Sequence, residues 1–561
     1  MAVFEQRSQP KVTLDDTTPL TCTIESAQSL KDYTEYVIRV QRGPISENSW
    51  TVTKRYSDFL ALDGILKPSG IDLHLPPKKV FGNMNREFIA ERQLALQSYL
   101  NKVLEQPYLA CHLSVKRFLD PNSYSSNLQE IALQQISMFF RSDNEWEVQE
   151  PLPEMGLRLR KQYFAIKNKN QPKEKYVLSW ANFGPDKFMP NNHLLNLLKL
   201  FPTFQHPNIA PVLSATSNDT CGVTIRNFQE EGTLRDIMCK AKPKAGYLKK
   251  YGNPKERVAC HLNAVKLFGR QILETLKFLH DKGIPYGHLH AGNILMVENQ
   301  VKLVDLENCL FGLPCHLRSY IVQFRKINTL ELIDVYCFGH LMYEMLVGET
   351  LKSPSCVTFP ASCTPEARAI LEAILSPEAC KNGLPTVEDL LTQPLFKSIM
   401  LPASEKPQVK IPSKLKEALR DAKAAVEKRL HEEQKVYHQQ KRISKAQAFH
   451  MSEEEKTKRR RSKKKQLNMN GQEKESTKVS SGLTEEKEPV ANGVAPVPPP
   501  PPPPPPAAPA PPPAVPPPDV PSAPASTAPS GGRGALLNSI CGFNKGGLKK
   551  SDTVDKSGPR L

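Results

Sequence analysis

Nine consecutive prolines, Pro498–Pro506, set the first limit on what this chain can become. With φ fixed and no backbone N–H, such a run adopts polyproline II and joins neither a helix interior nor a central strand. Further proline triplets begin at Pro511 and Pro516, and residues 468–530 lack core-forming side chains, so this segment is expected to stay disordered. Folded structure must therefore come from the residues before it. A chain of 561 residues is too long for one core, and ordinary domain sizes give three or four units. The formal net charge of +17 points to an anionic partner, membrane phosphate or nucleic acid. The 12 cysteines form no C-x-x-C pair and no metal-ligand spacing, which suits buried thiols in a reducing compartment. No secretory core follows Met1, and no apolar run is long enough to span a bilayer, so a cytoplasmic chain is expected.

Residues 12–121 read as one unit. Tyr36-Val37-Ile38-Arg39-Val40 and Trp50-Thr51-Val52-Thr53 alternate apolar and polar side chains, as half-buried strands do. Lys54-Arg55-Tyr56-Ser57-Asp58-Phe59 follows, then the extended turn Leu75-Pro76-Pro77-Lys78-Lys79-Val80-Phe81. From about Asn85 a helix places Ile89, Leu96, Leu100 and Val103 on one stripe, with Arg92 at its edge. The ordered set resembles a phox-homology (PX) domain, whose signature is R-R-Y-S-D-F, a proline-lysine turn and an Arg on the next helix. The resemblance implies a three-stranded sheet plus helices that bind phosphoinositides, with phosphatidylinositol 3-phosphate favoured. It implies that Arg55 holds the 3-phosphate and that Tyr56 packs under the inositol ring. Lys78, or alternatively Lys79, would take the 1-phosphate, and Arg92 would fork onto ring hydroxyls. Val80 and Phe81 would dip into the lipid beside the pocket. The plainer alternative is that both arginines are surface charges and Tyr56 is core; Asp58 and Phe59 are assigned to helix start and core.

Residues 128–397 carry a second ordered set: His206-Pro207-Asn208-Ile209, Gln271 to His280, Tyr286-Gly287-His288-Leu289-His290-Ala291-Gly292-Asn293-Ile294-Leu295, Val301 to Glu307, and Asp334-Val335-Tyr336-Cys337-Phe338-Gly339. Aligned on Asn293 and Asp305, these resemble a bilobal protein kinase, with its H-R-D-L-K-P-x-N loop, its D-F-G triplet and the D-x-W-S-x-G that anchors the loop from below. The departures matter more than the matches. The proton-accepting Asp is His288, the motif His is Tyr286 and the phosphate-side Lys is His290. Only Gly156 stands where closely spaced glycines would cover a nucleotide. Ala165-Ile166-Lys167 imitates the lysine strand but follows Gly156 too closely, so it is read as the strand before. The lysine strand proper is then Tyr176-Val177-Leu178-Ser179-Trp180, which ends without Lys, and the helix near Asn191 to Leu200 has no Glu to pair with one. General-base catalysis alone is worth about 10²–10⁴-fold, and here it is lost together with the positioning groups. The domain is read as a pseudokinase docking surface without catalytic residues. ATP with magnesium at Asn293 and Asp305, or retention of both residues for packing, stay open, and an atypical Ser/Thr kinase using His288 is the alternative.

Residues 412–467 read as a polar, then basic, helix with Leu415, Leu419, Ala422, Val426 and Leu430 at helical spacing. That thin stripe suits a packing or linker helix. The basic run Lys456 to Lys465 can serve an anionic membrane, nuclear import or plain solvation; it has no interleaved aromatics, which argues against specific nucleic-acid reading. The proline tract is either a ligand for profilin or SH3-domain grooves or a stiff spacer. Over residues 531–552, a short helix with Leu536, Leu537 and Ile540 on one side precedes Leu548-Lys549-Lys550-Ser551. This resembles a WASP-homology motif, which implies binding of actin monomers. The whole order, a multidomain α+β chain with a disordered tail, is similar to a family of animal proteins that join a PX domain to a kinase-like domain. That similarity implies an adaptor, peripheral on endosomal or plasma membrane, acting on membrane-protein cargo.

Overall fold

The computed structural model describes residues 14–78, 85–143, 145–361, 363–401 and 409–472. The first folded unit begins with three antiparallel strands, β1 (Leu20–Ser29), β2 (Thr34–Arg42) and β3 (Ser49–Arg55), in the order β1-β2-β3. Alternation along β2 buries Tyr36, Ile38 and Val40, and against that face pack Phe59 and Leu62 of helix Tyr56–Leu66 and Leu96 and Leu100 of helix Arg86–Glu105. Asn85 caps the second helix, its Oδ1 accepting the Glu87 N–H at 3.0 Å. A register shift between Ile24 and Ser26 is tied down by that helix: Gln97 Oε1 accepts the Ile24 N–H at 2.7 Å and Gln93 Nε2 donates to the Ile24 carbonyl at 3.0 Å.

The kinase-like unit has two lobes. Its small lobe is an antiparallel sheet of β4 (Trp146–Pro151), β5 (Lys161–Asn168), β6 (Tyr176–Asn182), β7 (Ser214–Ser217) and β8 (Cys221–Asn227), in the order β4-β5-β6-β8-β7. Ala165-Ile166-Lys167 therefore lies on the strand before the Tyr176 strand, as its spacing behind Gly156 requires. Helix Asn191–Leu198 follows β6 and contains no acidic residue. The large lobe is built on helices Leu262–Asp281 and Leu330–Val347, and between them a hairpin of β9 (Ile294–Val297) and β10 (Gln300–Leu303) turns at Glu298 and Asn299. Those two residues have φ of 50° and 62°, the left-handed pair that a tight two-residue hairpin uses.

Two connections were not legible in the sequence. Tyr247, Leu248 and Tyr251 of the kinase-like unit are buried in the hydrophobic core of the first unit, so the two share apolar packing. Arg160 Nε meets Asp16 at 2.8 Å and His112 Nε2 meets Glu154 at 2.7 Å across the same junction. Gly252 approaches so closely that a Cβ there would lie 2.5 Å from the Ser69 carbonyl oxygen. The helix Ser413–Gln472 packs back on the large lobe, burying Leu415, Leu419, Val426 and Leu430 of the expected stripe. Gln434 Nε2 donates to the Phe324 and Ile327 carbonyls at 2.8 and 2.9 Å. Among the described residues no helix is long and apolar enough to cross a membrane.

Candidate functional site

Two clusters carry chemistry, one in each unit. In the first, β3 ends at Arg55 and the chain turns directly into a helix, with Asp58 Oδ2 accepting the Arg55 N–H at 2.7 Å and Phe59 fully buried. The Arg55 guanidinium is half exposed, stacks 3.5 Å from the Tyr33 ring centroid and bonds Glu35 Oε1 at 3.3 Å. An exposed pair of this kind holds the arginine only weakly. The Tyr56 hydroxyl donates to the Pro76 carbonyl at 2.5 Å, which fastens the proline turn to the helix start. Burial pushes the Tyr56 phenol up, so it remains a donor at neutral pH. Arg92 lies 4.4 Å from the Tyr56 ring centroid and 4.2 Å from that of Phe88, and its Nη2 donates to the Pro77 carbonyl at 3.3 Å. Proline turn and helix thus meet at Tyr56, with the Arg92 guanidinium over its ring, while the Arg55 guanidinium lies on Tyr33 at the adjoining strand end. Lys78 is exposed at the end of the turn. Lys79, Val80 and Phe81 lie outside the described residues, as do the proline tract and Leu536, Leu537, Ile540, Leu548, Lys549 and Lys550.

The second cluster forms where β5 and β8 face the segment after β10. Lys161 opens β5 opposite Ala181, and its ammonium reaches Asp305 Oδ1 at 2.9 Å, Asn308 Oδ1 at 2.9 Å and Glu307 Oε1 at 3.1 Å. Arg226 on β8 donates to both oxygens of Glu307, at 2.6 and 3.2 Å. Burial alone would raise the Glu307 carboxyl, but Arg226 and Lys161 hold it well below the usual carboxylate range. Sequence reasoning missed Lys161, Arg226 and Glu307. The available signal was Glu307 standing where the D-F-G pattern has Gly: a second buried carboxylate requires a second buried cation.

His288 is buried, and Arg158 Nη2 donates to its Nδ1 at 2.6 Å while Arg158 Nη1 donates to the Pro314 carbonyl at 2.7 Å. Burial first, then the Arg158 charge, push the His288 pKa well below its ordinary value. The ring is therefore neutral, and the lone pair on Nδ1 is already engaged. Asp334 anchors the loop from below, accepting the Tyr286 and Gly287 N–H groups at 3.2 and 2.6 Å. Gly287 sits there at φ 69°, in the left-handed region. Asn293 Nδ2 donates to the His288 carbonyl at 3.1 Å. A divalent cation at Asp305 would have to displace the Lys161 ammonium, so the donor set does not fit magnesium as it stands. The cleft beside these residues measures about 120 Å³, whereas small-molecule pockets begin near about 300 Å³. A nucleotide would need the lobes to part.

The PX-domain family model matches residues 43–122. The mouse "PX domain-containing protein kinase-like protein" is 56% identical over 449 residues, covering 80% of this chain and 77% of that one. The chain belongs to the PX domain-containing protein kinase-like family. Its kinase-like half also has relatives elsewhere. The "Slowpoke-binding protein" of Drosophila melanogaster is 31% identical over 282 residues, or 46% of this chain and 54% of that protein. The "Probable inactive serine/threonine-protein kinase slob2" of Dictyostelium discoideum is 30% identical over 285 residues, or 48% and 47% of the two chains. The family's kinase-like unit is thus similar to proteins described as kinase-like and as inactive kinases.

Proposed function

We propose that this member of the family is a membrane-recruited pseudokinase adaptor, peripheral on endosomal or plasma membrane. Its PX domain binds a phosphoinositide headgroup through Arg55, Tyr56, Lys78 and Arg92, with Lys79 as the alternative cation and Val80 and Phe81 as the apolar anchor. Its kinase-like unit docks a membrane-protein partner and does not transfer phosphate. The observation that carries the lipid reading is the Tyr56 cluster, where the Arg92 guanidinium lies over the ring and the hydroxyl is fastened to the proline turn, next to the half-exposed Arg55 at the strand end. A relative whose name records binding to Slowpoke supports the docking role. The engagement of His288 by Arg158 and of Asp305 by Lys161 supports the loss of catalysis. Contact of actin monomers with Leu536, Leu537, Ile540 and the Leu548-Lys549-Lys550 stretch, and of profilin or SH3-domain proteins with the proline tract, belongs to the same proposal and rests on sequence resemblance. The test is liposome pelleting of the full chain across phosphoinositides. Arg55→Ala is expected to weaken binding to phosphatidylinositol 3-phosphate vesicles by about tenfold or more, the value of a charge-assisted bond. Equal pelleting of wild type and Arg55→Ala would end the lipid reading.

A further inference from the structure

A cavity of about 370 Å³ lies between the PX and kinase-like units, within the size range of small-molecule pockets, which starts near about 300 Å³. It is separate from the Tyr56 cluster and adjoins the Asp305 cleft only at Leu157, Arg158 and His290. Leu20, Leu104 and Tyr108 supply apolar wall from the PX side, and Leu313, Leu317 and Leu341 supply it from the other.

Apart from the exposed Glu105, the charged lining is paired with one exception among the described residues. Asp16 is paired with Arg160 at 2.8 Å, and Glu344 takes Arg235 through both oxygens at 2.7 and 2.6 Å. Arg158 is engaged by Pro314 and His288. Lys116, only 4% exposed, lines the cavity and has no hydrogen-bond or ion-pair partner among the described residues. On the opposite side His340 is 8% exposed and packs near the rings of Tyr320 and Tyr336, and its Nε2 is buried without a hydrogen-bond partner among the described residues. Burial lowers the Lys116 pKa, and Asp16 and Asp15 act on it only through space; an ammonium buried with no carboxylate in contact is costly and favours an anion. The guanidinium groups that would fork onto a phosphate are occupied, which leaves one point charge, suited to a single carboxylate.

We propose that this interdomain cavity binds a small amphipathic carboxylate, with its head on Lys116 and its apolar body along the leucines of both units. Such a ligand touches the PX and kinase-like units at once, so binding strengthens their junction. The site is independent of the phosphoinositide reading, and its failure leaves that reading intact.

The test is calorimetric titration of the full chain with decanoate, kept below its micellar concentration, beside decanol, which has the same tail without the charge. Decanoate is expected to bind and to raise the melting temperature. Decanol and the Lys116→Met variant should each lose about tenfold to a hundredfold in affinity, the range of one charge-assisted bond. If Lys116→Met does not fold, Ala110→Leu, which intrudes on the lining from the PX side, should weaken decanoate instead. Absence of decanoate binding at millimolar concentration, or equal affinity in wild type and a folded variant, would overturn the proposal.

Discussion

Arg158 Nη2 lies 2.6 Å from His288 Nδ1, so the residue standing where a kinase keeps its proton acceptor has that lone pair bound to a guanidinium. Restoring the acid does not free the position. His288→Asp would place a carboxylate beside Arg158, and the two would form a buried ion pair. The variant is expected to transfer no γ-phosphate to a peptide above background, at saturating nucleotide and magnesium. Labelled peptide from His288→Asp would show that the site is closer to catalysis than its geometry indicates.

Lys161 makes a second, independent prediction. Its ammonium balances Asp305 and Glu307 in a largely buried site. Removing one partner of a buried charge cluster costs about 3–5 kcal/mol, because the remaining carboxylates keep their desolvation penalty. Lys161→Met should lower the unfolding free energy by an amount in that range, measured by denaturant titration. Lys167→Ala, at the lysine that imitates the kinase motif, should change it by less than about 0.5 kcal/mol.

His340 gives a pH signature. Burial, then the neighbouring His316, lower its pKa to about 3, against about 6.5 in the unfolded chain. Between those values the unfolded chain holds a proton that the folded one refuses, so stability is lost as pH falls below about 6.5. In His340→Phe the slope of unfolding free energy between pH 6 and pH 5 should be smaller than in wild type by up to about 1.4 kcal/mol per pH unit. Parallel slopes for the two proteins would show that His340 is protonated in the folded state.

Much of this was legible in order and spacing. The strand assignment of Ala165-Ile166-Lys167, the Asp334 anchor under the Tyr286 loop and the packing stripe of the Ser413–Gln472 helix follow from local periodicity and motif order. Lys161 was not legible, because its partners sit some 145 residues away in sequence and only the sheet register turns it inward. No motif or periodicity singled out Tyr247, Leu248 and Tyr251; that they complete another domain's core is a property of tertiary packing alone. The Tyr56 cluster lies between these cases: its members were named in advance, while the stacking of Arg92 on Tyr56 required coordinates.

Gly252 tests that shared core. Its φ is compatible with any residue, so Gly252→Ala adds no backbone strain, but the new methyl would meet the Ser69 and Leu248 carbonyl oxygens at 2.5 and 2.7 Å. The substitution is expected to loosen the junction, seen as faster proteolysis between the PX and kinase-like units and a lower melting temperature. Cleavage rates identical to wild type would mean that the contact yields without consequence.

A PX domain that borrows three side chains from its neighbour's surface is not a tether on a string. Under the proposed lipid reading, the plane that the PX domain adopts on a bilayer becomes the plane of reference for the entire lobe pair, at one height and one tilt. The proposed partner, embedded in the same bilayer, would then meet the same side of this protein, and recognition that would be improbable for two tumbling bodies would become a matter of sliding in two dimensions.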